Sequence, residues 1–434
     1  MCNGTIMDKL ISFSIPLMLS GILQLMFNAV DIVVVGRFSG SQALAAVGST
    51  TALINVFTNL FIGISLGANV LAARYYAAGK TKEMSETVHT AIALALVSGV
   101  AMAVIGVVFA RGALEIMGTP DDVIAKSTLY MRIYFCGMPF FMMYNYGAAI
   151  LRAVGDTKRP LIFLIVSGVI NAILNLFLVI GFHLDVAGVG IATVISQLVS
   201  CILVLRCLHH TESSYQLHLA KLRIRSVYLK QIFEVGVPAG IQSTVINISN
   251  AMLQSSVNSF GSIAMAGYTA SNNIFGFLYV SVNSFTQACM SFTSQNYGVK
   301  KLKRMDRVLI DCMILSVVVT LILGSSVYIF GPELLHIYSN QADVIKYGME
   351  IFSYTTVTYF LCGLMDLFPG ALRGMGYSTV PMILSIIGTV GVRIIWIYGL
   401  FPSHRSLTFL FLSYPVSWIA TIIMQVICFW FVRE

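Results

Sequence analysis

Asp31 is a carboxylate inside an apolar stretch, IPLMLSGILQLMFNAVDIVVVGRFSG, that reads as one helix from Ile15 to Gly40. An acid on a membrane-spanning helix costs roughly 2.5 to 3.5 kcal/mol on insertion scales, so its presence points to function: it can bind a cation, hold a proton or pair with a base. The apolar run Ile32 to Val35 follows it, which argues against an acid that merely ends a helix in headgroup water. Gln24, Asn28 and Asp31 stand at i, i+4 and i+7, one face of a helix, and that face is expected to look inward. Asn171 and Asn175 form an i, i+4 pair in NAILN on the fifth apolar stretch, Asn145 lies near the end of the fourth, and Thr193, Ser196 and Gln197 sit on the sixth. Such amides and hydroxyls can coordinate a cation or hydrogen-bond helix to helix, and the residues alone leave both readings open. In the second half, Asn247, Asn250, Gln254 and Asn258 follow a helical stripe, and Asn283 and Gln287 add an i, i+4 pair. Being uncharged, they suit a variable substrate. Asp366 is a second intramembrane acid, and Arg393 on the next stretch is its expected partner in an ion pair.

The elements that position these residues follow from composition. With 434 residues, 57% hydrophobic and only 10% charged, the chain cannot hide its apolar side chains in one soluble core. It is expected to be an all-α polytopic membrane protein. A spanning helix needs about 20 mostly apolar residues. Twelve such stretches cover residues 11–36, 48–73, 88–110, 128–150, 161–181, 187–208, 228–257, 264–294, 308–330, 349–371, 381–400 and 407–432. No polar connection is long enough to fold as a soluble domain, and the N-terminal MCNGTIMDKL has no cleavable signal. The eight cysteines are scattered through apolar stretches without a CxxC pair and read as small core residues. The +8 balance does not imply nucleic acid, because the basic residues gather in alternate loops. One side holds Lys9, Arg74, Lys80, Lys82, Arg152, Lys158, Arg159, Arg206, Lys221, Arg223, Arg225, Lys230, Lys300, Lys301, Lys303, Arg304, Arg307, Arg373 and Arg433. The other side has only Arg37, Arg111, Lys126, Lys346 and Arg405. The Lys/Arg-rich side is cytoplasmic, so both termini are expected there, in the cell (inner) membrane. Arg132 and Arg393 remain inside helices and need partners.

The chain also repeats. LRAVGDTKRPLI from Leu151 aligns with LRGMGYSTVPMI from Leu372, matching Arg152 with Arg373, Gly155 with Gly376, Pro160 with Pro381 and Ile162 with Ile383 at one constant offset. Within a residue or two, the same spacing pairs Pro16 with Pro238 and Asp122-Val123-Ile124 with Asp343-Val344-Ile345. The twelve helices are therefore expected as two parallel, pseudo-symmetric six-helix bundles: 1–208, a cytoplasmic linker 209–226 that reads as a solvated loop, and 227–434. Two such lobes with facing polar stripes make a transporter whose cavity opens to one side at a time.

Pro16, the segment FNAVDIVVVGRFSGSQALAAVG, LRAVGDTKRP, AGVGIATVISQ, RGMGYSTVPMI and RIIWIYGLFP together resemble the MATE family, multidrug and toxic compound extrusion, over about Leu10 to Trp430. The resemblance implies export of organic, often cationic or amphiphilic compounds in exchange for Na+ or H+, with no cofactor beyond that ion. In the branch with its cation site in the N-terminal lobe, the matching positions are Asp31, Asn145, Asn171, Asn175 and Thr193. That branch usually has Asp where Asn175 stands, so a second carboxylate is missing here. The acid that another branch carries on the seventh helix is absent from Val237 to Asn258. Gln24, Asn28, Asn247, Asn250, Gln254, Asn283 and Gln287 are expected to line the substrate cavity, and Pro16 is the expected hinge of the first helix.

An alternative within the wider superfamily is a flippase of lipid-linked sugars or cell-wall precursors, whose pyrophosphate would favour many basic lining residues. Only Arg132 and Arg393 lie inside helices, which favours the antiporter. An enzyme is not expected: GISLG at Gly63 fits a GxSxG string with Ser65, but that elbow needs a strand-to-helix turn. His209, His210 and His218 lack metal-ligand spacing. The expected partners are small drug-like molecules and the bilayer, with the chain acting as a monomer.

Overall fold

The computed structural model describes residues 1–433; Glu434, the last residue of the second expected lobe, and the side chains of Ser41, Ala52 and Arg433 lie outside the described residues. The first half comprises α1 (Ile6–Phe38), α2 (Gly40–Ala77), α3 (Thr81–Ile116), α4 (Ile124–Cys136), α5 (Met138–Ala153), α6 (Lys158–Leu176) and α7 (Asp185–His209). The second comprises α8 (Ser226–Asn258), α9 (Ser262–Gly298), α10 (Leu302–Ile329), α11 (Gly331–His336), α12 (Ala342–Thr355), α13 (Tyr359–Met375), α14 (Thr379–Ser385), α15 (Val392–Ile395), α16 (Leu407–Phe411) and α17 (Ser413–Arg433). No strand occurs among the described residues. Large apolar residues such as Val97, Val104, Val108 and Phe109 on α3 are exposed, the arrangement of a helix that faces lipid.

Every expected stretch falls on helix. Eight described helices are by themselves long and apolar enough to cross a membrane, and the pair α12 and α13, bent by 53°, makes nine. The other three stretches fall short of that measure for visible reasons. Residues 128–150 are interrupted at Gly137, with Pro139 opening α5. The stretches 228–257 and 264–294 carry the Asn and Gln residues singled out above, which lower their hydropathy.

The duplication is written into the backbone. Gly155 and Gly376 follow α5 and α13 with φ of 98° and 100°, left-handed values that only glycine adopts without strain. After each, a proline stands third in the next helix: Pro160 in α6 and Pro381 in α14.

Two compact units form, one from Leu19–Val237 and the other from Met1–Met18 together with Pro238 onward. The start of α1 therefore packs with the second half of the chain rather than with the first six helices of its own lobe. The reason is apolar: Leu10, Phe13 and Leu17 are buried in a cluster with Phe285, Phe292 and Leu367, and the Phe13 and Phe292 rings meet edge-on at 5.5 Å. Pro16 and Pro238 lie inside α1 and α8, at the points where the chain passes from one unit to the other.

The linker 209–226 is exposed along most of its length, yet it is anchored at several points. Leu217 is fully buried, and its N–H donates to the Leu208 carbonyl at 3.0 Å. The His218 N–H donates to Nε2 of His89 on α3 at 3.1 Å, and Glu86 lies 3.6 Å from Arg225. The segment is strapped to the start of α3.

Lys82, Lys158, Arg223, Lys303 and Lys346 are all exposed. Single cysteines at the first four, in a cysteine-free background, are expected to label only from the cytoplasmic side, and one at Lys346 only from outside. Labelling of Lys158→Cys and Lys346→Cys from the same face would sink the topology.

Candidate functional site

On α6, Ser167, Gly168, Asn171 and Asn175 are the buried polar and small residues of one face. The Phe27 ring of α1 lies over Gly168, where any Cβ would collide with it, so α1 comes close to α6 at this point. One turn further along α1, Asp31 meets Asn175. The Asn175 Nδ2 group donates both to the Asp31 carboxylate and, at 3.2 Å, to Asn171 Oδ1. Asn175 is fully buried, Asn171 is nearly so, and Asp31 is half-buried. The remaining oxygen, Asn175 Oδ1, is buried and accepts no hydrogen bond among the described residues. A carboxylate and a buried amide oxygen beside it can together accept a proton or coordinate a small cation.

Not all the matching residues join this chain. Asn145 Nδ2 donates to Phe141 O at 2.8 Å and the Thr193 hydroxyl donates to Val189 O at 2.9 Å, both bonds within their own helices. Gln24 and Asn28 are exposed, so only Asp31 of that stripe turns onto α6. Arg132 is exposed and donates to the Val107 carbonyl at 3.1 Å.

In the second unit the expected ion pair is not made. Arg393, 3% exposed, donates from Nη1 to Asn250 Oδ1 at 2.7 Å and from Nε to Ser417 Oγ at 3.3 Å, with its guanidinium 4.7 Å from the Tyr414 ring centre. Asp366 forms no ion pair among the described residues; the base on its own helix is Arg373, two turns on along α13. Arg373, counted above among loop charges, is instead buried, and its Nη2 donates to Gln242 Oε1 of α8. Arg393 lies in four α-helical residues between two π-helical segments, Ile386–Gly391 and Trp396–Leu400, whose turns are wider than 3.6 residues. Asn247, Gln254 and Asn283 are exposed, and Gln287 is half-buried.

The MatE family profile matches residues 16–177 and, a second time, residues 238–398. The chain belongs to the MATE family. Its two matched segments are the two halves of the internal repeat. Among relatives of this MATE chain, the probable multidrug resistance protein YoeA of Bacillus subtilis (strain 168) is 30% identical over 389 residues, 88% of this chain and 84% of that protein. The multidrug export protein MepA of Staphylococcus saprophyticus is 23% identical, covering 92% of this chain and 89% of the relative. The fold is that of the outward-facing structure of a multidrug resistance MATE family transporter of the MOP superfamily, with TM-score 0.89 and 19% identity over 99% of this chain and 96% of that one. A MOP superfamily transporter from Pyrococcus furiosus is equally similar, with TM-score 0.90 and 21% identity over 99% and 96%. The protein is thus an all-α membrane protein of a transporter family with the twelve-span fold.

Two features of this MATE protein were missed in the sequence. Gln242 and Arg373 form a buried link between α8 and α13, signalled only by the i, i+7 spacing of Asp366 and Arg373. The π segments left no sequence signal that we recognise.

Proposed function

We propose that this MATE protein is a secondary active antiporter. It exports small organic, often cationic or amphiphilic compounds across the cell membrane in exchange for H+ or Na+, by alternating access, as a monomer with both termini cytoplasmic. The observation that carries this reading is the buried chain Asp31, Asn175, Asn171, which ties a lone membrane carboxylate on α1 to amides on α6. Protonation or cation binding at Asp31 changes what the carboxylate can accept from Asn175 Nδ2, and so changes how firmly α1 is held to α6. Pro16, inside α1, is the place for that helix to bend. Ion and substrate then compete for one conformational equilibrium, without needing one shared site. The relatives' names as multidrug resistance and export proteins support drug-like cargo.

The ion is proposed to be the proton. Sodium needs several oxygens around it, and Asp31 with Asn145, Asn171, Asn175 and Thr193 offers a cage with one carboxylate. A proton needs only Asp31. Each charge moved inward down 100 mV supplies about 2.3 kcal/mol, roughly a 40-fold gradient of a neutral substrate, so either ion is sufficient. In sodium-free proteoliposomes, an inward proton gradient is expected to drive efflux of fluorescent organic cations. Failure there, with success under a sodium gradient alone, would assign sodium; failure under both would overturn the antiport reading.

A further inference from the structure

The offset that carries Leu151 onto Leu372 also carries Thr193 onto Tyr414 and Ser196 onto Ser417, and it places Asn28 on Ser249. The polar cluster around Arg393 is therefore built on the repeat partners of α1, which carries Asp31, of α6, which carries the Asn175 that Asp31 meets, and of α7: α8 answers α1, the α14 to α15 segment answers α6, and α17 answers α7. The charges are opposite. One unit carries an acid at this place, and the other carries a base.

A guanidinium buried in a membrane lobe is expensive unless a counter-charge meets it. Around Arg393 the contacts are all neutral: Asn250 Oδ1 at 2.7 Å, Ser417 Oγ at 3.3 Å, Ser249 Oγ at 3.5 Å and the face of Tyr414. No acidic side chain among the described residues forms an ion pair with it, and its Nη2 edge makes no hydrogen bond to any of them. Asn250, the nearest acceptor, is only half-buried and lies on the same stripe of α8 as the exposed Asn247 and Gln254. Two π segments flank the residue, a feature frequent at functional sites.

We propose that Arg393, with Asn250, Ser249 and Ser417, forms a subsite for a carboxylate carried by an aromatic compound that the protein exports. Asn250 Oδ1 holds the guanidinium when the subsite is empty. The ligand's carboxylate displaces it, exchanging a neutral acceptor for an anionic one that also supplies the missing counter-charge, in the two-pronged geometry that guanidinium allows. Tyr414, half-buried with its ring beside the guanidinium, is the aromatic neighbour of the subsite. The cargo favoured by this subsite is zwitterionic or anionic, beyond the organic cations considered so far; only its description as cargo rests on the transport reading.

The test uses the purified full-length protein in dodecyl maltoside and two dyes that differ only in the group at issue: tetramethylrhodamine with a free carboxylate, and its methyl ester. Fluorescence polarisation gives the ratio of the two Kd values. The wild type is expected to favour the free acid, and Arg393→Gln to shrink that preference at least tenfold. Arg393→Lys is expected to keep part of it. Should Arg393→Gln not fold, Asn250→Asp decides, because a carboxylate built beside the guanidinium should occupy it and erase the preference. A ratio unchanged in the variants, including one in which both dyes weaken equally, would overturn the subsite. Efflux of the methyl ester from cells is a separate arm: its failure with the ratio intact would count against transport and leave the subsite standing.

Discussion

Asp31→Asn is expected to insert and fold as the parent protein does and to export nothing. Asparagine is close to isosteric and can still bond Asn175, so the packing of Phe27 over Gly168 and of α1 on α6 is preserved. The ability to be charged in one state and neutral in another is lost. Without that difference an ion gradient has nothing to act on, since an equilibrium shifts only by the differential interaction of a ligand with its two states. The measurement is the initial rate of dye efflux from cells expressing equal amounts of each protein. A fall of at least tenfold corresponds to about 1.4 kcal/mol of lost coupling. Ordinary efflux by Asp31→Asn would remove the mechanism. In the reverse direction, Asn175→Asp restores a second carboxylate beside Asp31, and sodium dependence should strengthen as proton dependence weakens.

The second large effect is structural. Arg373 is buried, bonded to Gln242, and its Nε finds no hydrogen-bond partner among the described residues, while Asp366 lies two turns back on the same helix. Arg373→Gln removes the charged donor that Gln242 Oε1 accepts from, and the base two turns from Asp366, and should lower stability by about 1.5 to 3 kcal/mol. Removing both charges, in Asp366→Asn with Arg373→Gln, should cost less than the sum of the single changes by about 1 to 3 kcal/mol. Thermal unfolding in detergent gives all four corners of the cycle. Strict additivity would show that the two charges do not interact. The pairing of Asp366→Asn with Arg393→Gln, by contrast, is expected to be additive, because Arg393 is held by Asn250 and Ser417 instead.

Properties that depend on composition and repetition were open to the sequence alone. Apolar content and the length of the apolar runs make the chain a polytopic helical membrane protein, and the match of LRAVGDTKRP to LRGMGYSTVP exposes the duplication that Gly155 and Gly376 repeat in the backbone. The same motifs carry the family. What periodicity could state about the polar residues was the direction in which each leaves its own helix; the grouping of Asp31 with Asn171 and Asn175 came from the resemblance to the family.

Only the tertiary structure decided which of them meet. Asp31 reaches Asn175 because Gly168 lets Phe27 sit close, whereas Gln24 and Asn28, on nearly the same stripe, remain exposed. Arg393, expected beside Asp366 only because both are charged and lie in one lobe, turns instead to Asn250 and Ser417, partners that a list of charged residues does not reveal. Met1–Met18 packs with the second half of the chain because the apolar surface that buries Leu10 and Phe13 belongs to helices hundreds of residues away. A sequence specifies the face of each helix through local geometry; the partner of that face is set by packing between distant segments, and no local spacing records it.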